Sequence, residues 1–435
     1  MQFSRKLQQL SLPLPTAAAA PVPGDPQGEP VVSGNRADVL EALRRKMSEI
    51  LHRPLERPEP ADPTRTELPF VREQTDLGAV YRLERCLAPS HHIGRLPVEA
   101  AASARAEMLA LLALDPSLKS TDPTRALFLD TETTGLGGGA GIIAFLVGLG
   151  WFEASGRMIV EQLLVRSPAD EGAMLELLSS RVEKASLLVT YNGKTFDLPL
   201  LETRYVMQRR HLPQWPAHLD LLHVARRLHR ARLGGCRLVH LEADVLGFVR
   251  GPDIDGADIA ACYGHFLRTG EEMALRSVVE HNALDVLSMA ALVGLYGEPQ
   301  EALHGDDLVG LARTLQRAGA LDAAECAADA AVRRGAGTGA LKVRGQIARA
   351  RGDRARALVD LEKHIVEVDD PAVRLELAKL YEHFVKEPMR ALELTLQGTG
   401  EADEAWSRRC ARLEKKIDKS LKRVVSRQRS KQRRH

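Results

Sequence analysis

The stretch Leu127-Phe-Leu-Asp-Thr-Glu-Thr-Thr-Gly-Leu136 is an apolar run that ends in two carboxylates one residue apart. On a β-strand, side chains at i and i+2 project from the same face. Asp130 and Glu132 are therefore expected side by side at the edge of a buried sheet. Two carboxylates that close repel each other, and one takes up a proton unless a cation compensates them. Oxygen ligands on a strand end suit hard cations such as Mg²⁺ or Mn²⁺.

Two later segments enlarge the set. Thr190-Tyr-Asn-Gly-Lys-Thr-Phe-Asp197 follows the apolar Leu187, Leu188 and Val189, so Asp197 falls just past a second strand. A helical run starts there, and acidic residues favour helix N-termini. Glu280-His-Asn-Ala-Leu-Asp285 lies in an amphipathic stretch from about Glu271 to Tyr296. His281 and Asp285, four apart, share one helix face. Asp130, Glu132, Asp197 and Asp285 are then four carboxylates from three separated elements. Fully ionised they carry about −4, which two divalent cations balance. A metal pair roughly 3.5–4 Å apart activates a water and stabilises the leaving oxygen of a phosphodiester. His281, with an ordinary pKa of about 6.5, is suited to take the proton from that water.

Asp130-Thr-Glu-Thr-Thr-Gly-Leu136, Asn192-Gly-Lys-Thr-Phe-Asp-Leu-Pro-Leu-Leu-Glu202, Asp220-Leu-Leu-His-Val-Ala-Arg-Arg227 and His281-Asn-Ala-Leu-Asp-Val-Leu-Ser288 together resemble the DEDD superfamily of RNase H-like exonucleases. Within it they look like the YprB-like bacterial group. The resemblance covers about Arg72 to Leu295 and extends more loosely into the C-terminal repeats. It implies 3′–5′ exonuclease activity on single-stranded nucleic acid, RNA or DNA, by a two-metal mechanism. It also implies Asp130, Glu132, Asp197 and Asp285 as ligands of two Mg²⁺ or Mn²⁺ ions. His281 is the candidate base, and Thr131, Asn192 and Lys194 are the candidate substrate contacts. One register departs from the better-studied branches, which place a Tyr four residues, or a His five, before the last Asp; here a His stands four before it. A catalytically silent nucleic-acid-binding adaptor and a structure-specific endonuclease are the alternative readings.

Neighbouring features are weaker. The glycine-rich Gly135 to Gly141 reads as a turn between strands, since no phosphate-binding helix follows it. Asp220 is either an auxiliary acidic group or a structural one. Cys236 and His240 are four apart but lack a second pair at zinc-site spacing, so they read as packing.

Strands are expected at about Ala126–Asp130, Ile142–Trp151, Met158–Val165 and from Leu187, with a short segment at Leu219–Leu222. Helices are expected at Glu171–Val182, from Asp197, near Leu238–Leu246 and Ile259–Leu267, and over Glu271–Tyr296. This order, with the resemblance, implies an RNase H-like mixed sheet with flanking helices over 121–298, extended N-terminally by 71–120.

Residues 1–70 differ in kind. Pro13, Pro15, Pro21, Pro23, Pro26 and Pro30 surround a small-residue tract, which reads as disorder with one amphipathic helix at about Ala37–His52. Beyond the sheet, Ala323, Ala357 and Ala391 are spaced 34 apart, with Gly319 and Gly352 at the expected helix turns. That period implies an all-α, tetratricopeptide-like array over 304–400, suited to a protein partner. From Arg408 to His435 there are thirteen Lys or Arg residues, although the whole chain is only +2. A basic tail over 401–435 attracts phosphate backbones irrespective of sequence. Aromatic residues at 4% argue against an extended base-stacking surface. No apolar run suits a bilayer span, and five scattered cysteines fit a reducing cytoplasm.

Overall fold

Nine strands form among the described residues, the central ones from short apolar runs bounded by turn residues. They are β1 (Val71–Thr75), β2 (Gly78–Leu87), β3 (His92–Ile93), β4 (Leu96–Pro97), β5 (Ala126–Thr133), β6 (Ala144–Phe152), β7 (Met158–Leu164), β8 (Leu187–Thr190) and β9 (Ala217–Asp220). The computed structural model describes residues 68–135 and 141–432, with side chains through Lys422. The expected helix at 37–52, nearly all of the 1–70 segment and the centre of the glycine run lie outside the described residues.

Seven strands form one mixed sheet in the order β1-β2-β7-β6-β5-β8-β9, while β3 pairs with β4. The meander β5-β6-β7 is antiparallel, and β8 and β9 continue parallel to β5. This is the mixed sheet with flanking helices that the element order, together with the resemblance, implied. The 71–120 segment contributes more than an extension, because β2 pairs antiparallel with β7 and adds two strands to the sheet.

The central strands are apolar on both sides because helices cover both faces. Phe128, Val160 and Val189 pack into one core with α1 (Ala106–Ala113), α4 (Leu221–Leu228) and α6 (Arg276–Gly297). Leu127, Leu129, Val147 and Leu188 face α2 (Glu171–Val182) and α3 (Asp197–Met207) on the other side. A further helix, α5 (Gly256–Thr269), packs Tyr263 on Phe145 with ring centroids 4.1 Å apart. The segment Glu272–Gly297 has the length and apolar composition of a membrane span, but 72% of that apolar window is buried. It is the core helix of this domain.

That helix lies unusually close to the sheet. A Cβ at Gly148 would stand 2.2 Å from Asn282 Oδ1, and one at Gly150 would stand 2.6 Å from Val286 Cγ1. The two glycines on β6 create the room.

Of the element boundaries that differ from expectation, two bear on the site. β5 runs on to Thr133, so Glu132 is inside the strand, with a register shift between Glu132 and Thr133. The Leu219–Leu222 segment divides, with β9 ending at Asp220 and α4 beginning at Leu221. Asp220 causes the break: its carboxylate accepts the Leu222 amide and caps the helix.

Beyond the sheet are three helical hairpins: α7 (Gly305–Arg317) with α8 (Leu321–Arg333), α9 (Gly337–Arg351) with α10 (Arg354–Glu367), and α11 (Pro371–Leu380) with α12 (Pro388–Leu396). Gly319 and Gly352 turn the first two at φ of 80° and 90°, and Lys386 at 66° serves the third. Gly310 of α7 seats the array on the α/β unit, since a Cβ there would meet Leu228 O at 2.6 Å. The basic segment forms α13 (Asp403–Gln432), whose first part docks on the last hairpin. Buried Glu382 holds Arg409, Arg412 and Lys416, and Leu413 is fully buried. Three of the basic side chains are thereby committed to packing.

Candidate active site

Alternation along β5 decides how the acidic groups meet. Asp130 and Glu132 share the Phe128 face, under α6, whereas Thr131 points to the face where α3 begins. Asp197 opens α3, and its Oδ1 accepts the Thr131 hydroxyl at 2.5 Å. His281 and Asp285 come from α6, with His281 Nε2 3.7 Å from Asp285 Oδ2. Asp130, Glu132, Asp197, His281 and Asp285 line one cleft of about 490 Å³, together with Thr131, Tyr191 and Asn192.

Electrostatic strain follows from that gathering. Burial, then the charges of Asp285, Glu132 and Asp197, hold the Asp130 carboxyl well above its ordinary range. Burial pushes Glu132 up to about 8, with His281 opposing and Asp285 and Asp197 reinforcing. Asp197 is raised by burial to about 6 despite the Thr131 bond. Asp285 is also raised by burial, against the pull of Arg250 and His281. Burial disfavours charge on His281, but Asp285, the Asp253 hydrogen bond and Glu132 outweigh it and raise its pKa.

The donor set is all carboxylate oxygen, which fits a hard divalent cation, and the mutual repulsion is what such a cation relieves. Among the described residues no three His, Cys, Asp or Glu side chains already converge on one point. The oxygens are instead held by protein donors. Asn282 Nδ2 donates to Asp130 Oδ2 at 2.8 Å, Thr131 to Asp197, and Arg250 to Asp285 Oδ1.

Three of these partners escaped the sequence reading. Asn282 is fully buried, donates to Asp130 and accepts from Gln162 Nε2 at 2.9 Å. Its signal was an amide on the apolar stripe of a core helix, where a polar side chain requires partners. Arg250 and Asp253 flank a Gly-Pro turn in a loop, and no periodicity marks them. His281 Nδ1 lies 2.9 Å from Asp253 Oδ1.

Other candidates fall elsewhere. Lys194 is exposed and does not line the cleft. Asn192 does line it, in a left-handed conformation at φ 69°. Asp220 is structural: it accepts the backbone N–H groups of Asn192, Lys194 and Leu222 at 2.8, 3.1 and 3.1 Å, which shapes the loop that delivers Asp197. Cys236 serves through its backbone carbonyl, which accepts the Tyr191 hydroxyl at 2.6 Å.

Over 178 residues, 40% of its length, the chain is 41% identical to the uncharacterized protein YprB of Bacillus subtilis. That match spans 43% of the relative's own length, so the chain covers less than half of the curated protein it resembles. Residues 127–296, the portion that contributes all four carboxylates and His281, match the RNase_H superfamily.

Proposed function

We propose that this chain is a metal-dependent nuclease that removes nucleotides from the 3′ end of single-stranded nucleic acid. The observation that carries the reading is the convergence of Asp130, Glu132, Asp197 and Asp285 on one cleft beside His281. Keeping four carboxylates this close is costly for a protein that only binds, and useful to one that must hold divalent cations. Asp130, Glu132, Asp197 and Asp285 would hold two Mg²⁺ or Mn²⁺ ions. Those ions, when bound, supply water activation and charge stabilisation at the phosphodiester.

The chain's own side chains do the rest. His281 has its Nδ1 on Asp253, which leaves Nε2 on the cleft side to accept a proton from the attacking water. Asn192 and the left-handed turn around it shape the wall that a nucleotide backbone passes. The helical hairpins, tetratricopeptide-like in period, offer a surface for a protein partner. Lys415, Lys419 and Lys422 on α13 add positive charge for a phosphate backbone.

The test uses 5′-end-labelled single-stranded RNA and DNA of one sequence, with Mg²⁺ or Mn²⁺, and with EDTA, Asp130→Ala and Asp285→Ala as controls. The expected result is a metal-dependent ladder shortening from the 3′ end, reduced on the order of a hundredfold or more in both variants. Binding without cleavage under either metal would overturn the nuclease reading in favour of an adaptor. Internal cuts would revise it to an endonuclease.

A further inference from the structure

Arg250 and Asp253 lie on the loop between Gly247 and Asp255, and no catalytic motif claims them. Arg250 is engaged on every side. Its Nε donates to Glu242 Oε2 at 2.6 Å, its Nη2 reaches Glu242 Oε1 and Asp285 Oδ1, and its Nη1 donates to Asp253 Oδ2 at 3.1 Å. The Arg250 side chain is 5% exposed and that of Glu242 1%. A guanidinium so committed is not available to a substrate phosphate. Its effect falls on Asp285: Oδ1 is taken, and Oδ2 is turned toward His281 and the cleft that both residues line.

Asp253 treats His281 in the same way. Its two oxygens stand 2.9 and 3.0 Å from His281 Nδ1. Nδ1 stands between Arg250 Nη1 at 3.2 Å, which can only donate, and the Asp253 carboxylate, which can only accept; the two closer Asp253 contacts favour the tautomer with the proton on Nδ1. Nε2 is left as the acceptor on the cleft side.

We propose that Arg250 and Asp253 are positioning residues of this site, Arg250 aiming the Asp285 carboxylate and Asp253 aiming the His281 ring, with buried Glu242 anchoring the Arg250 guanidinium that also donates to Asp253. The assignment rests on the nuclease reading above. It demands an arginine specifically. One ammonium nitrogen cannot span Glu242, Asp253 and Asp285 at once, whereas a planar fork does.

The test uses the full chain, with Mn²⁺ affinity by calorimetry, kcat and KM on the labelled strand, and thermal unfolding without metal. Arg250→Lys is expected to weaken Mn²⁺ binding about tenfold or more, as loss of a ligand's supporting partner does, with KM for the strand changed less than about twofold. Asp253→Asn is expected to leave Mn²⁺ affinity within about twofold while lowering kcat about tenfold or more. In a His281→Ala background the same Asp253→Asn change is expected to cost nothing further, because Asp253 acts through the ring.

Wild-type Mn²⁺ affinity in Arg250→Lys would overturn its role, as would an equal Asp253→Asn penalty with and without His281. Should Arg250→Lys fail to fold, Glu242→Gln, which removes the charge holding the guanidinium, takes its place, and wild-type Mn²⁺ affinity there overturns the Arg250 role, while the Asp253/His281 cycle on partly exposed side chains decides the Asp253 role. A wild-type chain that neither binds Mn²⁺ nor cleaves overturns the nuclease reading itself, and this assignment with it. One that does both while the variants match it overturns only the positioning roles.

Discussion

Gly148→Ala tests whether the closeness of α6 to the sheet builds the site. The added Cβ would stand 2.2 Å from Asn282 Oδ1 and 2.8 Å from its Cγ. Asn282 is fully buried on a core helix, so it cannot swing into solvent. It must tilt or lift α6, and either movement breaks its bonds to Asp130 at 2.8 Å and Gln162 at 2.9 Å. Overpacking of a tight core costs about 1–3 kcal/mol. Leaving a buried amide and its partners unpaired adds about 1–3 kcal/mol. The sum, about 2–6 kcal/mol, corresponds to a melting temperature lower on the order of 10 °C for a domain of this size. Activity is expected to fall as well, since Asp130 loses the donor that orients it. The comparison is Gly172→Ala on α2, where a Cβ meets nothing within 4 Å. That change is expected to stabilise by up to about 1 kcal/mol, because the glycine's unfolded-state freedom is reduced without a clash. Thermal unfolding and nuclease assays on both variants decide the issue. A Gly148→Ala protein with wild-type melting and activity would refute the close-approach argument.

Two further outcomes follow from the same geometry. Glu132 at about 8 and Asp197 at about 6 both lie above their ordinary values, so the folded state binds these protons more tightly than the unfolded chain. Their contribution is present in full at low pH and lost as pH rises through the folded values, and the raised His281 has the same sign. Metal-free stability is therefore expected to fall between about pH 4 and pH 8, and Mg²⁺ to flatten the profile; urea midpoints against pH, with EDTA or Mg²⁺, check it, and rising metal-free stability over that window would contradict it. Asp220→Asn leaves one acceptor oxygen where three backbone N–H groups converge, so a loss of about 1–3 kcal/mol is expected with Mn²⁺ affinity within about twofold; a selective loss of metal binding would make Asp220 a ligand instead.

Much of the α/β unit was legible because its strands are short apolar runs with clear punctuation. Helix α2 was expected at Glu171–Val182 and lies there, since Met174, Leu178 and Val182 repeat at the helical period over a buried face. The β1-β2 hairpin was not resolved as strands in the sequence. Its β1, Val71–Thr75, is largely exposed and polar, so nothing in its pattern announces an edge strand paired with β2. The basic segment read as a tail, yet its first part is a docked helix. Buried Glu382, far from it in sequence, supplies the counter-charge that turns loose cations into packing groups.

The sequence by itself determined the elements and the inventory: a carboxylate pair at period two on β5, an acid at the head of α3, and a histidine and an acid one turn apart on α6. Those relations are local, set by the 2.0 and 3.6 periodicities of strand and helix. Only the tertiary structure decided which side chains hold that inventory in place. Asn282 reaches Asp130 because Gly148, on a strand more than a hundred residues earlier, leaves it room. Arg250 and Asp253 reach Asp285 and His281 because a loop folds back over α6 from a different part of the chain. Contacts of that kind depend on packing between elements, and no spacing along the chain encodes them.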